Sequence, residues 1–414
     1  MTKISVLSGN KTIGGTFIRI DDGEKVLVFD QGIRFDIFRR YYTDWIIPLG
    51  VMELRKLGIL PKEEWYEHVQ DIYITHLHLD HLGALSNIPK PISVHMPGRT
   101  VYEEVAKKRW ERSPSWLNII PQSYYVEIQD VQPLSEDKNG VLPIPVSHSA
   151  FPAMAYVYFG KDKTVLYTGD MRVNGYLDKR GVKKLRGGPS LLEYMADQHD
   201  IHIDVLLIEG TNFGSDRMPI SPEDSLEIIK KIITHNDQVI VTTHYLDVEF
   251  LLSTIKLARD LDRGCYVLSE PVAKILHMLG INAKINVVEE FAVTPEYSSI
   301  TLQEVFEKPS VLIVSYYEIV DLCRKAGKII LGKNVASIIT EPEPSAEEMV
   351  EYEVVNRWLL RSGIQPYRLR VSGHYYPYEI YKILKTIRPK QVIPVHTEHP
   401  ELMKVVNSDY SCFN

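Results

Sequence analysis

Four residues with metal-binding side chains occur within six positions of the sequence. His76, His78, Asp80 and His81 follow an apolar stretch at residues 71–75 that predicts a buried strand. Imidazole nitrogens and carboxylate oxygens are ligands that suit zinc or manganese. Without a metal, a buried set of this kind would need a separate hydrogen-bond partner for each member. The spacing therefore predicts a metal site at the end of this strand.

The elements around this cluster predict an α/β protein. A hairpin is predicted where residues 16–20 and 25–30 flank an Asp-Gly turn, and residues 205–209 form a buried strand that ends in a carboxylate. From residue 212 to 355, apolar strands alternate with helical stretches, which indicates βαβ units and a parallel sheet. We therefore expect an inserted α/β module there, between a first part at residues 1–211 and a last part at residues 356–414.

The amino-acid composition excludes several classes of protein. The chain has 414 residues and a net charge of −7, so any nucleic-acid binding must come from a local basic stretch or from bound metal. Cys265, Cys323 and Cys412 are too far apart for a zinc ribbon and too few for a disulfide framework, which fits a reducing cytoplasm. No segment approaches the ~20 apolar residues of a membrane helix, so we expect no membrane partner.

The residues also resemble a known family. His-x-His-x-Asp-His after a strand is similar to the metallo-β-lactamase superfamily, whose fold is an αββα sandwich. Asp30, His148 in Val-Ser-His-Ser, and Asp170 in Tyr-Thr-Gly-Asp match further motifs of that family in their order. Glu209, His374 in Val-Ser-Gly-His, and His396 in Pro-Val-His-Thr-Glu narrow the resemblance to its β-CASP branch. That branch carries an inserted domain, which corresponds to residues 212–355, and the plan is similar to the compact archaeal RNase J type.

The resemblance implies a centre for two divalent ions, Zn²⁺ or Mn²⁺. One ion is expected on His76, His78 and His148. The other is expected on Asp80, His81 and His396, with Asp170 as the bridge between the two. The resemblance also implies that Asp30 and Glu398 support the metal-binding residues through hydrogen bonds. In the implied reaction, His374 stabilises charge or protonates the departing oxygen, and Glu209 holds His374.

The implied activity is hydrolysis of RNA, as a 5′→3′ exonuclease on 5′-monophosphorylated single strands, with endonucleolytic cleavage also open. Ser372 and Gly373 either bind the terminal phosphate or only form a tight turn, and Tyr375 is predicted to stack on a base. The family often has alanine at that tyrosine position and His-Gly-Glu around His396. A DNA nuclease of the same branch and a hydrolase of small esters or thioesters remain alternatives. Related nucleases often form homodimers.

Overall fold

The computed structural model describes residues 1–43, 45–107, 127–281, 286–288, 299–341 and 349–404. Cys412 therefore lies outside the described residues. The chain forms two compact units, and the first is built from two separate stretches of sequence, residues 1–217 and 373–414. The second unit comprises the intervening residues 218–372.

The first unit contains a six-stranded sheet in the order β1-β2-β3-β4-β5-β6. The strands β1 to β3 pair antiparallel, and β3 to β6 run parallel. The hairpin predicted at the start of the chain is β2–β3. The strands are β1 (Lys3–Ser8), β2 (Phe17–Asp21), β3 (Val26–Phe29), β4 (Asp71–Tyr73), β5 (Ser93–Met96) and β6 (Ile128–Asp130).

A second sheet of the same unit has five strands in the order β18-β10-β9-β8-β7. The strands β9, β10 and β18 run parallel, whereas β8 is antiparallel to both β7 and β9. As a result, β7, β9, β10 and β18 all end at the same edge of the sheet. These strands are β7 (Val141–Pro145), β8 (Met154–Phe159), β9 (Thr164–Tyr167), β10 (Val205–Glu209) and β18 (Gln391–Val395).

Apolar side chains from both sheets form a shared core that includes Ile18, Phe29, Tyr156 and Leu207. A further core covers the outer face of the five-stranded sheet with helices. Another lies beneath the first two helices and includes Ile33 and Leu54. The predicted αββα sandwich is therefore confirmed. The helices of this unit are α1 (Phe35–Tyr41), α2 (Val51–Lys56), α3 (Leu79–Leu82), α4 (Arg99–Val101), α5 (Lys179–Arg186), α6 (Leu191–Asp197) and α13 (Ile380–Ile387).

The second unit is a parallel seven-stranded sheet in the order β14-β13-β12-β15-β11-β16-β17 with helices between its strands. Its strands are β11 (Gln238–Thr242), β12 (Gly264–Val267), β13 (Asn286–Val288), β14 (Ser299–Ile300), β15 (Ser310–Val314), β16 (Val335–Ile339) and β17 (Gln365–Arg368). Its helices are α7 (Pro222–His235), α8 (Val248–Asp260), α9 (Glu270–Met278), α10 (Leu302–Val305), α11 (Ile319–Ile330) and α12 (Met349–Arg361).

The second unit ends later in the sequence than residue 355, where the sequence analysis placed the end of the insertion. The strand β17 pairs in parallel with β16 and so belongs to the sheet of the second unit. From the sequence alone, this strand was assigned to the returning part of the first unit. An isolated strand pattern does not reveal which sheet supplies its hydrogen-bond partner, and this is why the two boundaries differ.

In the part of the chain that the structure describes, no helix combines the length and the apolar character required to cross a bilayer.

Candidate metal centre

The candidate metal-binding side chains lie at the carboxyl ends of strands in both sheets of the sandwich. The histidine cluster follows β4, and Asp30 follows the neighbouring parallel strand β3. In the other sheet, His148, Asp170 and His396 follow β7, β9 and β18. The residues were predicted from widely separated motifs, and the structure brings them together because these strands end at one edge of the sandwich.

The first set of possible ligands consists of His76, His78 and His148. His78 Nδ1 lies 3.1 Å from His76 Nε2 and 3.3 Å from His148 Nε2. His78 also precedes the short helix α3, so the chain turns sharply between the second histidine of the motif and Asp80. Three imidazoles whose candidate ligand nitrogens lie within 4.8 Å of one another are suited to hold a divalent cation.

The second set consists of Asp80, His81 and His396. Asp80 Oδ2 lies 3.2 Å from His396 Nε2 and 3.8 Å from His81 Nε2. Asp170 lies between the two sets, since its Oδ2 is 3.1 Å from His81 Nε2 and 3.8 Å from His148 Nε2. The structure thus brings together the two groups of side chains and the central carboxylate that the resemblance implied, and their role as metal ligands stays a prediction.

Two buried atoms of this cluster support its use as a divalent metal site. Among the described residues, Asp170 Oδ1 is fully buried and has no hydrogen-bond partner. His81 Nε2 is also buried, and its 3.1 Å approach to Asp170 Oδ2 lacks the geometry of a hydrogen bond. Buried polar atoms are rarely left without a partner, because their desolvation then costs about 1–3 kcal/mol each. A cation bound between the ligand sets would satisfy both atoms, so the donor set fits a metal.

The histidine rings are held from behind by hydrogen bonds to their other nitrogen. His81 Nδ1 lies 2.7 Å from Asp30 Oδ2, and His148 Nδ1 lies 2.7 Å from the backbone oxygen of Gly373. Because these oxygens can only accept, both Nδ1 atoms carry a proton and both rings turn Nε2 toward the cluster. The neutral His148 ring presents a lone pair there, whereas His81 does so only after its second proton has left. Asp30 is completely buried and also accepts hydrogen bonds from Thr75 and Tyr167.

Two threonines complete this outer layer, and the sequence analysis gave neither of them a role. Thr75 Oγ1 lies 2.9 Å from Asp30 Oδ2 and 3.0 Å from His76 Nδ1, so it donates to the carboxylate and accepts from the ring. Thr211 Oγ1 lies 2.9 Å from His396 Nδ1. The sequence signal available for Thr75 was its position directly before the histidine cluster. Thr211 is two residues after Glu209, and nothing in the sequence linked it to His396.

The loop that carries Asp30 also requires close approach of two backbones. The N–H of Gln31 donates to the backbone oxygen of His81 at 2.7 Å. A Cβ atom on the next residue, Gly32, would lie 1.6 Å from the backbone oxygen of Asp80. Only glycine therefore allows this loop to pack against the metal-binding loop. Asp30 and His396 both adopt positive φ angles, of 59° and 50°, so each turns the chain sharply at its strand end.

Burial and neighbouring charges shift the pKa values of the histidines in this cluster in different directions. Burial lowers the pKa of His76 and His148 well below the ordinary value and lowers that of His78 to about 4. Burial would also lower the pKa of His81, but the carboxylates of Asp170, Asp30 and Asp80 outweigh it and raise this pKa well above the ordinary value. The first ligand set is therefore neutral and ready to bind a cation.

In the second ligand set, the histidines and the carboxylates shift one another's pKa values in opposite directions. Burial would lower the pKa of His396, but Asp170 and Asp80 outweigh it and raise this pKa. Burial would raise the pKa values of Asp80 and Asp170, but the charges of neighbouring histidines outweigh it and lower both. A cation held by this set would take the place of the His81 proton as a counter-charge of the carboxylates.

His374 lies beside the cluster and is held by Glu209. Its Nδ1 is 3.1 Å from Glu209 Oε1 and 3.8 Å from Asp170 Oδ2. Glu209 is completely buried, and its other oxygen accepts the backbone N–H of Thr211 at 2.9 Å. The side chain of His374 is 12% exposed, more than the His76, His81 and His148 rings. This arrangement suits a residue that meets a substrate while a buried carboxylate fixes its orientation.

Two predicted roles do not agree with the structure. Tyr375 is 1% exposed, its hydroxyl donates to the backbone oxygen of Glu209 at 2.6 Å, and its ring packs in the core outside the five-stranded sheet. It therefore cannot stack on a base as predicted. Glu398 is exposed, and among the described residues it makes no hydrogen bond or ion pair with the cluster. The turn at His396 directs Thr397 inward instead.

Gly373 contributes to the site through its backbone oxygen and its lack of a side chain, in line with the tight-turn alternative of the sequence analysis. Its backbone oxygen orients His148, and a Cβ atom at this position would lie 2.4 Å from Ser149 Oγ and 3.0 Å from the His148 ring. The turn therefore requires glycine for close packing against the third histidine loop. Ser372 is half-buried and belongs to the second unit. Phosphate binding by either residue stays a prediction.

Comparison with known proteins agrees with this geometry. Ribonuclease J of Helicobacter pylori is 24% identical over 442 residues, covering 99% of this chain, and the chain spans 58% of that relative's length. Ribonuclease J of Pyrococcus abyssi is 20% identical, and the match covers 96% of this chain and 90% of the relative. Ribonuclease J 2 of Streptococcus pyogenes is 21% identical over 97% of this chain.

Among solved structures, a protein of unknown function from Enterococcus faecalis has a similar fold. The superposition has a TM-score of 0.72 at 20% identity and covers 97% of this chain and 95% of that one. Residues 16–244, more than half of the chain, match the family model described as the metallo-beta-lactamase superfamily. These residues include the histidine motif, His148 and Asp170, so the chain belongs to the metallo-β-lactamase superfamily.

Proposed function

We propose that this protein is a metal-dependent ribonuclease that hydrolyses RNA phosphodiester bonds. It would act in the 5′→3′ direction on single strands with a 5′-monophosphate. The observation that carries the proposal is the pairing of two ligand sets around Asp170 with a separate histidine, His374, held by a buried carboxylate. Hydrolysis of a small ester or thioester on this fold requires neither His374 nor Glu209.

The ligand sets would hold two divalent ions, His76, His78 and His148 on one side and Asp80, His81 and His396 on the other. When bound, such ions supply a water molecule of lowered pKa and Lewis-acid contacts to phosphate oxygens. Zn²⁺ and Mn²⁺ both suit this mixture of imidazole and carboxylate ligands.

The residues of the chain then have separate tasks. Asp170 keeps the two ligand sets at a fixed separation, and the buried hydrogen bonds of Asp30 keep His81 from rotating. Glu209 holds Nδ1 of His374, which leaves Nε2 on the far side of the ring. From there Nε2 can stabilise the developing charge or protonate the departing oxygen.

Three observations favour RNA as the substrate. The relatives that match nearly the full chain are named Ribonuclease J, although the first of them is much longer than this protein. A histidine at position 396 resembles the RNA-processing members of the family rather than the DNA-processing ones. By resemblance to RNase J, Ser372 and Gly373, which directly precede His374 in the sequence, would bind a terminal phosphate. The 5′→3′ direction depends on this last feature.

The setting proposed for this activity follows from the same reasoning. The free thiols of Cys265 and Cys323 suit a reducing compartment, and we propose the cytoplasm. A homodimer is the expected assembly, by resemblance to related nucleases.

The proposal is tested with end-labelled substrates. The purified protein, supplied with Mn²⁺ or Zn²⁺, is incubated with 5′-monophosphorylated single-stranded RNA, with the same RNA carrying a 5′-hydroxyl, and with DNA of the same sequence. We expect mononucleotide release from the first substrate, slower release from the second and none from DNA. An Asp170→Asn variant serves as the matched inactive control, because it removes the charge between the ligand sets.

Each other pattern supports a different activity. Fragments of intermediate length from internally labelled RNA indicate endonucleolytic cleavage. Equal cleavage of RNA and DNA supports the DNA nuclease of the same branch. Hydrolysis of a generic thioester without cleavage of either polymer would refute the proposal in favour of a small-molecule hydrolase.

A further inference from the structure

One short segment of the first unit has a charge opposite to that of the chain as a whole. Residues 172–186, here called the basic segment, contain six lysines and arginines and a single acidic residue, Asp178, in a chain of net charge −7. A local concentration of positive charge is what an acidic protein requires to attract a polyanion. The basic segment lies outside the metal-binding residues, and none of the roles assigned above uses it.

The basic segment begins at the metal centre. It starts two residues after Asp170, the central carboxylate of the two ligand sets. The backbone N–H of Arg172 donates to the oxygen of Ser147 at 2.6 Å, and the N–H of Tyr375 donates to the oxygen of Met171 at 2.7 Å. Ser147 and Tyr375 are the neighbours of His148 and His374. The segment is therefore fixed between the loops of two site histidines before it continues to α5.

The helix α5 presents cations to solvent on one face. Arg180, Lys183 and Lys184 are exposed, and their spacing of three and four residues places them on the same side of the helix. In the part of the chain that the structure describes, none of these three side chains has a hydrogen bond or ion pair. Asp178 is engaged as the N-cap, where it accepts the N–H of Gly181 at 2.7 Å. Among the described residues, the exposed face therefore carries three cations without a paired carboxylate, and the one acidic residue of the segment, Asp178, lies at the start of the helix.

Two buried arginines add to the positive potential behind this face. Arg172 and Arg186 are 5% and 6% exposed. Burial, together with the charge of Arg172, lowers the pKa of Arg186 to about 9, so the guanidinium still carries its charge at neutral pH. The carboxylate of Glu193 acts on this pKa in the opposite direction, so the buried pair adds only part of its charge to the positive potential of the basic segment.

We propose that the basic segment binds the phosphate backbone of the RNA strand outside the metal centre. Arg180, Lys183 and Lys184 make contacts that do not depend on sequence. This inference rests on the proposed function for the identity of the polyanion. Charge complementarity favours RNA as the ligand of the basic segment. A nucleic-acid strand that passes through the metal centre carries a negative charge at every nucleotide. An acidic protein or an anionic membrane is an alternative occupant that the test separates.

The test compares two triple variants, each in a His374→Ala background so that RNA is bound but not consumed. One variant carries Arg180→Gln, Lys183→Gln and Lys184→Gln. The control carries Lys3→Gln, Lys62→Gln and Lys138→Gln, which removes the same charge from exposed positions on other elements. Binding of a fluorescent single-stranded RNA of about 20 nucleotides is followed by anisotropy between 50 and 200 mM NaCl, with thermal melting as the check on folding.

Each phosphate contact to a single strand contributes about −0.7 to the slope of log K against log salt concentration. Loss of three contacts should make the slope shallower by about 2 and, relative to a 1 M reference, weaken binding about 100-fold at 0.1 M salt. The control triple should keep the slope of its parent. In the active background, cleavage of a 5′-phosphorylated dinucleotide, which is too short to extend along α5, should continue at the parental rate.

An unchanged slope in the α5 variant overturns the inference, as does an equal loss in the control triple. So does retention by anionic vesicles or a polyglutamate peptide at the affinity of RNA. The two proposals fail separately. A protein that binds RNA with this salt dependence but cuts none leaves the inference standing without the proposed function. Cleavage with an unchanged slope does the reverse.

Discussion

Replacement of Thr211 by valine would test whether a single hydroxyl controls one half of the metal centre. Valine keeps the branched shape of threonine but cannot accept the hydrogen bond from His396 Nδ1, which is 2.9 Å from Thr211 Oγ1 in the wild type. His396 is 1% exposed, so water cannot readily replace the lost partner. The backbone N–H of Thr211 would still donate to Glu209, so the support of His374 is preserved.

The size of the effect follows from the cost of an unpaired buried donor. That cost is about 1–3 kcal/mol, which corresponds to about 5- to 150-fold in an equilibrium constant. Loss of a partner behind a metal-binding histidine typically weakens metal affinity or activity by about 10–100-fold, in the same range. We therefore expect the second ligand set to lose about 10–100-fold in affinity. The first set, which His396 does not join, should be unchanged.

The assay is titration of metal-free protein with Zn²⁺ or Mn²⁺ in the presence of a competing chelator, which resolves the two binding steps. Thr211→Ser is the matched control, because it keeps the hydroxyl and removes only a methyl group. Two wild-type binding steps in Thr211→Val would refute the reasoning. If Thr211→Ser were as defective as Thr211→Val, the methyl group rather than the hydroxyl would be responsible.

Three further outcomes are expected. His374→Ala should keep its metal content, measured by elemental analysis, while turnover falls about 10²–10⁴-fold, the usual contribution of a proton-transfer residue; loss of metal would contradict a role in charge stabilisation or proton transfer. Asp80→Ala should lose metal and activity together, and retention of both metals would show that it is no ligand. Metal binding at pH 7 should release protons, because the pKa of His81 is raised in the metal-free protein and its proton must leave. Calorimetry in buffers of different ionisation enthalpy measures this release, which should decline as the pH rises through that pKa, and its absence would refute the assigned charge state.

The sequence by itself predicted the candidate metal-binding residues and most of the strands that carry them. A tight loop after a strand brings closely spaced side chains together, and this applies to His76, His78, Asp80 and His81. Short apolar runs located most strands of the sandwich, because strands that are covered on both faces, such as β3, β7 and β10, are buried along their whole length. The order of the later motifs then placed His148, Asp170 and His396 by resemblance.

Tertiary structure decided which residues support that chemistry. Thr211 and His396 are 185 positions apart, and only the parallel pairing of β10 with β18 brings them within a hydrogen bond. The same packing buries Tyr375 and exposes Glu398, although both stand beside site histidines. A sequence pattern records the polarity of each position. Which distant strand lies alongside, and so which group each buried atom meets, is determined only when the sheets assemble.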